Sequence, residues 1–205
     1  MLDAEEWLIK PLIQVCKGKG QYGLSLRAHR EPRALPMLRM GNIQNGRLDW
    51  NDLTYVDLDA VTLAEYAVQP GDLLFNRTNS AELVGKSAVM KENRPAVFAS
   101  YLVRFRMREE MADPDFVCEI INGPLGRTYI NQHMGRAIGQ VNISAGKMHD
   151  FLLPCPPKSE QRRIMTKIAE VGRHADGAAR AATAQLAAID ALPAALLSAA
   201  FRGDL

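Results

Sequence analysis

Cysteine is scarce in this chain of 205 residues, and the three present (Cys16, Cys118, Cys155) are scattered with no CxxC pair. That excludes a disulfide framework. His29, His133, His149 and His174 fall near none of the cysteines at metal-ligand spacing, so no metal site is expected. No cofactor is expected either. Gly18-Lys19-Gly20-Gln21-Tyr22-Gly23 matches G-x-G-x-x-G by letter, but prolines 32 and 36 stand where a phosphate-binding helix would have to run. Gly85-Lys86-Ser87 resembles the end of a P-loop, yet the first glycine of that motif would fall on Ser80. No glycine-rich loop with an Asn/Asp-Pro-Pro-aromatic run suggests an adenosyl donor, and no acidic-x-Lys spacing suggests a nuclease metal. With no catalytic constellation, the chain reads as a non-enzyme. No window is apolar for long enough to promise a membrane span, and residues 1–10 carry three acids and no signal-peptide pattern, so a cytoplasmic setting is expected.

Charge of one sign is also lacking, since the net is only +2, but the charge is unevenly placed. Arg47 to Asp72 holds one base against six acids, whereas Phe75 to Arg108 holds seven bases against two acids. Arg127 to His149 has three bases and no acid. Such segregation lets a folded domain show one positive face to phosphates. Ordinary surface charge that balances in space fits the same numbers.

What is present begins at Tyr66–Val89, YAVQPGDLLFNRTNSAELVGKSAV. Pro70-Gly71-Asp72 is turn chemistry, Leu73-Leu74-Phe75 is a short buried strand, and Asn76 to Ser80 are five consecutive hydrogen-bonding side chains. A strand that delivers a polar loop is either a solvated turn or a reader: Arg and Asn can make paired contacts to guanine and adenine edges, and Ser and Thr can serve phosphates. Further strands are predicted at residues 34–39, 85–90 and 96–107. The last alternates, with Tyr101, Val103, Phe105 and Met107 on one face and Ser100, Leu102, Arg104 and Arg106 on the other, so that one face is core and the other is open to water or DNA. Helices are predicted at 113–122 and 125–134.

The fold class expected is α+β: a mixed globular domain over residues 1–153, a Pro-rich linker at 154–158, and a long coiled-coil helix over 159–205. Ser159 is the expected N-cap, and the helix should run about 33 residues, ~50 Å, to a break at Pro193. A short return segment, LPAALLSAAF, would follow. The apolar seam Ile164, Ile168, Val171, Ala175, Ala178, Ala182 and Ile189 has heptad spacing and calls for a partner helix. That partner could be a second copy, the return segment, or the chain's own domain.

The Tyr66–Val89 stretch closely resembles the target-recognition domain of type I restriction-modification specificity subunits. Similar segments follow the order of that family: Gln21-Tyr22-Gly23, LRMGNIQNGRLDWN at Leu38 to Asn51, FASYLVRF at Phe98 to Phe105, GQVNIS at Gly139 to Ser144, PCPPKSEQRRI at Pro154 to Ile164, and the C-terminal tail. The resemblance implies a non-catalytic reader of half of a split target in double-stranded DNA, bearing a spacer helix on which methyltransferase subunits, and through them the restriction subunit, assemble. Members commonly carry two such domains and two helices in tandem; here there is one of each. A homodimer through the helix would restore two readers, and a fragment of a longer subunit would explain the size as well. Residues that the resemblance suggests for DNA contact are Arg77, Asn79 and Ser80, then Tyr22, Arg39, Asn42, Lys86, Ser100, Gln140 and Asn142. A freestanding homodimeric regulator or anti-restriction protein, and an enzyme with unrecognised metal-binding acids, are the competing readings.

Overall fold

A computed structural model describes residues 7–32, 34–137 and 140–203, and the side chains of Arg136 and Ala137 lie outside that description. The chain divides into two compact units, Met1–Arg162 and Arg163–Leu205. The class is α+β, as the sequence predicts: short strands and helices precede one long C-terminal helix.

The first unit is organised on a four-stranded antiparallel sheet in the order Gln21–Tyr22, Leu102–Phe105, Leu73–Asn76, Ser87–Val89. Leu73, Phe75, Val103 and Phe105 point into one apolar cluster, which is closed by the helices Leu12–Val15, Pro114–Asn122 and Ala145–His149. Leu74, Ala88 and Leu102 point into a second cluster with Leu38, Met90 and Phe98. Both faces are therefore covered, which is why Leu73-Leu74-Phe75 is continuously apolar rather than alternating.

That arrangement corrects the reading of residues 96–107 as one half-exposed strand. The chain turns at Ala99–Tyr101, leaving two strands, Val97–Phe98 and Leu102–Phe105, in different sheets. Val97–Phe98 runs parallel to Leu35–Leu38, which pairs antiparallel with Thr54–Val56. Arg104, placed by alternation on a face open to water or DNA, is buried. Its guanidinium donates to Ala67 O at 2.6 Å, to Glu65 O at 3.0 Å, to Gln21 Oε1, and to Asp72 Oδ2 at 3.3 Å. Burial pulls its pKa below the ordinary arginine value, an effect that the Asp72 carboxylate opposes.

Two smaller sheets frame the rest of the unit. Asn45 and Gly46 both take positive φ (50° and 74°) in the hairpin joining Ile43–Gln44 to Arg47–Leu48, the backbone that an Asn-Gly turn supplies. Thr78–Asn79, Gln140–Asn142 and Gly135–Ala137 form a three-stranded antiparallel sheet.

The Pro-rich linker is also corrected. Leu152–Cys155 is a strand paired antiparallel with Leu8–Pro11, Pro154 included, because a two-stranded sheet has only edges and an edge tolerates a missing N–H. The helix begins at Lys158, and Pro157 O accepts from the N–H groups of Glu160 (2.9 Å) and Gln161 (3.0 Å), so Ser159 lies inside the first turn rather than capping it. Gln161 ties that turn to the first unit. Its fully buried amide accepts from Asp113 N (2.8 Å) and donates to Met111 O (2.9 Å) and Pro156 O (2.8 Å). The near-isosteric change Gln161→Leu removes the partner of Asp113 N and Pro156 O and leaves Met111 O only the weak contact from the Cys155 thiol at 3.7 Å, so it is expected to cost about 2–4 kcal/mol. Urea unfolding followed by tryptophan fluorescence measures this, and an unchanged midpoint would remove the anchoring role.

The helix Lys158–Arg202 runs 45 residues, ~68 Å at 1.5 Å per residue, straight through Pro193. The expected break and return segment are not found. A proline inside a helix costs about 3 kcal/mol, but Pro193 is followed by a run of Ala and Leu, the strongest helix formers, and these carry the helix on. The expectation of no long apolar window fails here too. By length and composition this helix meets the measure of a membrane span, with an 18-residue stretch of mean hydropathy 1.5. Alanine supplies much of that value, and Asp190 sits within residues 181–201, where a carboxylate at a bilayer centre would cost about 2.5–3.5 kcal/mol.

Candidate nucleic-acid interface

Strand Leu73–Asn76 leaves the core at Asn76, whose amide is fully buried and donates to Leu83 O. From there the chain is held on both sides. Arg77 N donates to Tyr101 O at 3.0 Å, and Arg77 O accepts from Ile143 N at 2.9 Å. Thr78–Asn79 then pairs with Gln140–Asn142, Asn142 opposite Thr78 and Val141 opposite Asn79. Val141 points into the main core cluster, so Gln140 and Asn142, its neighbours on the strand, face solvent. The small sheet thus joins two segments far apart in sequence: Thr78, Gln140 and Asn142 share its solvent face, whereas Asn79, opposite the core-facing Val141, lies on the other face and its Oδ1 accepts from Ser80 N at 2.8 Å.

Tyr22 joins from a third segment. Its backbone pairs with Val103, its hydroxyl accepts from Ala145 N at 3.1 Å, and its ring lies 5.0 Å from the Arg77 guanidinium carbon. That is cation–π distance. The Arg77 guanidinium has no hydrogen-bond acceptor among the described residues, and its Nε is buried. Five other arginines of this unit are committed, Arg39 to Asp52, Arg104 and Arg106 to Asp72, Arg108 to Cys16 O, and Arg127 to Val84 O and Ala81 O, whereas Arg94 lies over the Trp50 ring at 4.5 Å.

Ser80 is exposed and begins the turn through Gly85, whose φ of +85° suits glycine. A Cβ there would meet Ile130 Cδ1 at 2.3 Å, so the turn lies directly against the helix Pro124–His133. Arg127 of that helix clamps it through the Val84 and Ala81 carbonyls. Sequence reading did not single out Arg127 for this; its place in an acid-free basic stretch was the only signal, and the contact itself is tertiary. Lys86 is half-buried with no side-chain partner among the described residues, and Ser100 is half-buried at the turn between two strands.

Two of the expected contact residues have structural employment. Asn42 is buried, its Oδ1 accepting from Arg39 N and both Nδ2 donors spent on Asp49 O and Asn51 O, so no donor is left for a paired contact to a base edge. Arg39 donates to Asp52 O at 2.8 Å and Oδ2 at 3.3 Å and braces the same hairpin. Neither belongs to the segments that pair beside Arg77.

Burial pushes the thiols of Cys16 and Cys118 up to about 12, so both keep their protons at neutral pH.

No family model matches the chain. Among curated proteins it is 27% identical over 186 residues to the type I restriction enzyme EcoKI specificity subunit of Escherichia coli K12, covering 89% of this chain and 40% of that protein. It is 24% identical over 185 residues to the StySPI specificity subunit of Salmonella potsdam, again covering 89% and 40%. Solved structures agree on the fold. A chain from a structure of the type I R-M system superposes with a TM-score of 0.71 at 20% identity, over 98% of this chain and 47% of that one. The HsdS subunit from Thermoanaerobacter tengcongensis gives 0.60 at 16%, over 86% and 44%. The chain spans about 40% of the length of the curated relatives it matches.

Proposed function

We propose that this chain, a half-length relative of the type I restriction enzyme specificity subunits, reads one half of a bipartite DNA target and brings methyltransferase subunits, and through them a restriction subunit, to that site. The observation that carries the reading is the Arg77 guanidinium, left without an acceptor among the described residues, beside a small sheet whose solvent face presents Gln140 and Asn142. Arg, Asn and Gln are the side chains that read guanine and adenine edges in the major groove. The chain itself does no chemistry in this account, and its setting is the cytoplasm.

Selection from random duplex DNA tests the reading. A defined half-site is expected, and Arg77→Ala should cost about 1–3 kcal/mol and relax preference at one base pair. A uniform loss across all sequences, with a shallower salt dependence, would assign Arg77 to phosphate instead. A tagged chain purified from its host should carry a methyltransferase subunit. Specific binding with no enzyme attached would make it a freestanding DNA-binding protein.

The second half of the target is read, in this proposal, by a second copy paired through the helix. Because the helix continues past Pro193, the heptad seam extends from Ile189 to Leu192 and Leu196, both exposed. Laid antiparallel with its two-fold at residue 180, the seam matches itself: Ile164 meets Leu196, Ile168 meets Leu192, Val171 meets Ile189, Ala175 meets Gln185, and Ala178 meets Ala182. Large residues face large ones at both ends, and the methylenes of Gln185 fill the space beside an alanine. A parallel pair would instead stack three all-alanine layers and set Gln185 against itself. Two-fold symmetry in the protein then calls for an inverted-repeat target with unread base pairs between its halves.

A further inference from the structure

We infer that Tyr22 is a positioning residue that makes Arg77 a reader of guanine rather than a phosphate contact, an inference resting on the DNA-reading function proposed above. Contact with a phosphate needs only a cation within reach, and a mobile side chain serves. Reading guanine needs the planar guanidinium fork held so that two donors meet O6 and N7 together.

The surroundings of Arg77 supply that restraint. Its backbone is fixed by Tyr101 O on one side and Ile143 N on the other. Its side chain lies across the Tyr22 ring at 5.0 Å with Nε buried, which leaves only the terminal nitrogens to reach outward. Tyr22 is itself immobilised at both ends, by strand pairing with Val103 and by the Ala145 N–H on its hydroxyl at 3.1 Å. The ring therefore acts as a fixed shelf. Among the described residues no carboxylate or carbonyl accepts from the guanidinium, in contrast to Arg104, Arg106 and Arg127. A fork held on a shelf without an acceptor lacks a planar, two-acceptor partner, and among base edges guanine presents that pattern.

The test uses the full chain, purified with any methyltransferase subunit that accompanies it, and measures relative affinity for duplexes varied at each half-site position across a salt series. Wild-type protein should favour G·C at one position by about ten-fold or more. Tyr22→Leu, which keeps an apolar side chain on a partly exposed strand, should bring that position near parity while leaving the salt slope unchanged. Tyr22→Phe retains the ring and should retain most of the preference. Arg77→Lys keeps the charge and should lose the preference at the same position. The inference is overturned if Tyr22→Leu leaves the preference intact, if it lowers affinity equally for all sequences, or if Arg77→Lys and Tyr22→Leu act at different positions. Absence of any preference in the wild-type chain would overturn the proposed function itself, a result distinct from these three.

Discussion

Asp72→Ala is expected to destabilise the first unit by about 3–5 kcal/mol, because it strands the buried Arg104 guanidinium without its counter-charge. Both side chains are 3% exposed, so in the native protein the carboxylate rather than bulk water balances the Arg104 charge. The loss is a large share of the 5–15 kcal/mol that holds a typical domain. Arg106 shares the same carboxylate at 2.8 Å but is 45% exposed, so Arg106→Gln should cost no more than about 1 kcal/mol. Urea titrations of both variants, followed by circular dichroism, make the comparison. Equal small losses would mean that the Ala67, Glu65 and Gln21 oxygens suffice to hold Arg104. The stakes extend to the proposed interface, because Asp72 immediately precedes the strand that delivers Arg77.

Ala178→Glu should abolish helix pairing at micromolar concentration. In the proposed antiparallel register Ala178 meets Ala182 of the other copy, and the two-fold axis sets two new carboxylates in the closest-packed part of the seam. Each unpaired buried charge costs several kcal/mol, more than the alanine layers can return. Glutamate is a good helix former, so helical content by circular dichroism should not fall. Sedimentation of the wild type should give twice the 22.7 kDa chain mass, and of the variant the single mass. A wild-type monomer, or a variant that still pairs, would each sink the register.

How much of this was legible in the sequence varies with the physics involved. Local signals read well: the Leu73-Leu74-Phe75 strand, the helix Pro114–Asn122 with its leading acid and proline, and the helix Pro124–His133 each rest on residues adjacent in the chain. Pro154 and Pro193 misled, because a proline's cost is a local quantity while its tolerance depends on context, an edge strand in one case and a run of Ala and Leu in the other. Arg104 misled for the opposite reason. Alternation identifies a face but cannot say that a second apolar layer and Asp72 will cover it. In the candidate interface, the residue types after Asn76 were readable, whereas the pairing of Thr78–Asn79 with Gln140–Asn142, the Tyr22 shelf and the Arg127 clamp are tertiary facts. Asn42 shows the limit plainly: the same amide that could read adenine is spent on three backbone groups.

The strand partnership between Thr78–Asn79 and Gln140–Asn142 also bears on heredity. A genetic crossover between codons 80 and 140 would marry one parent's half of that ladder to the other's, so that neither parental preference survives intact. Specificity of this kind would travel between lineages as an undivided cassette from Tyr22 to Asn142, and breakpoints that preserve a parental preference would lie outside it.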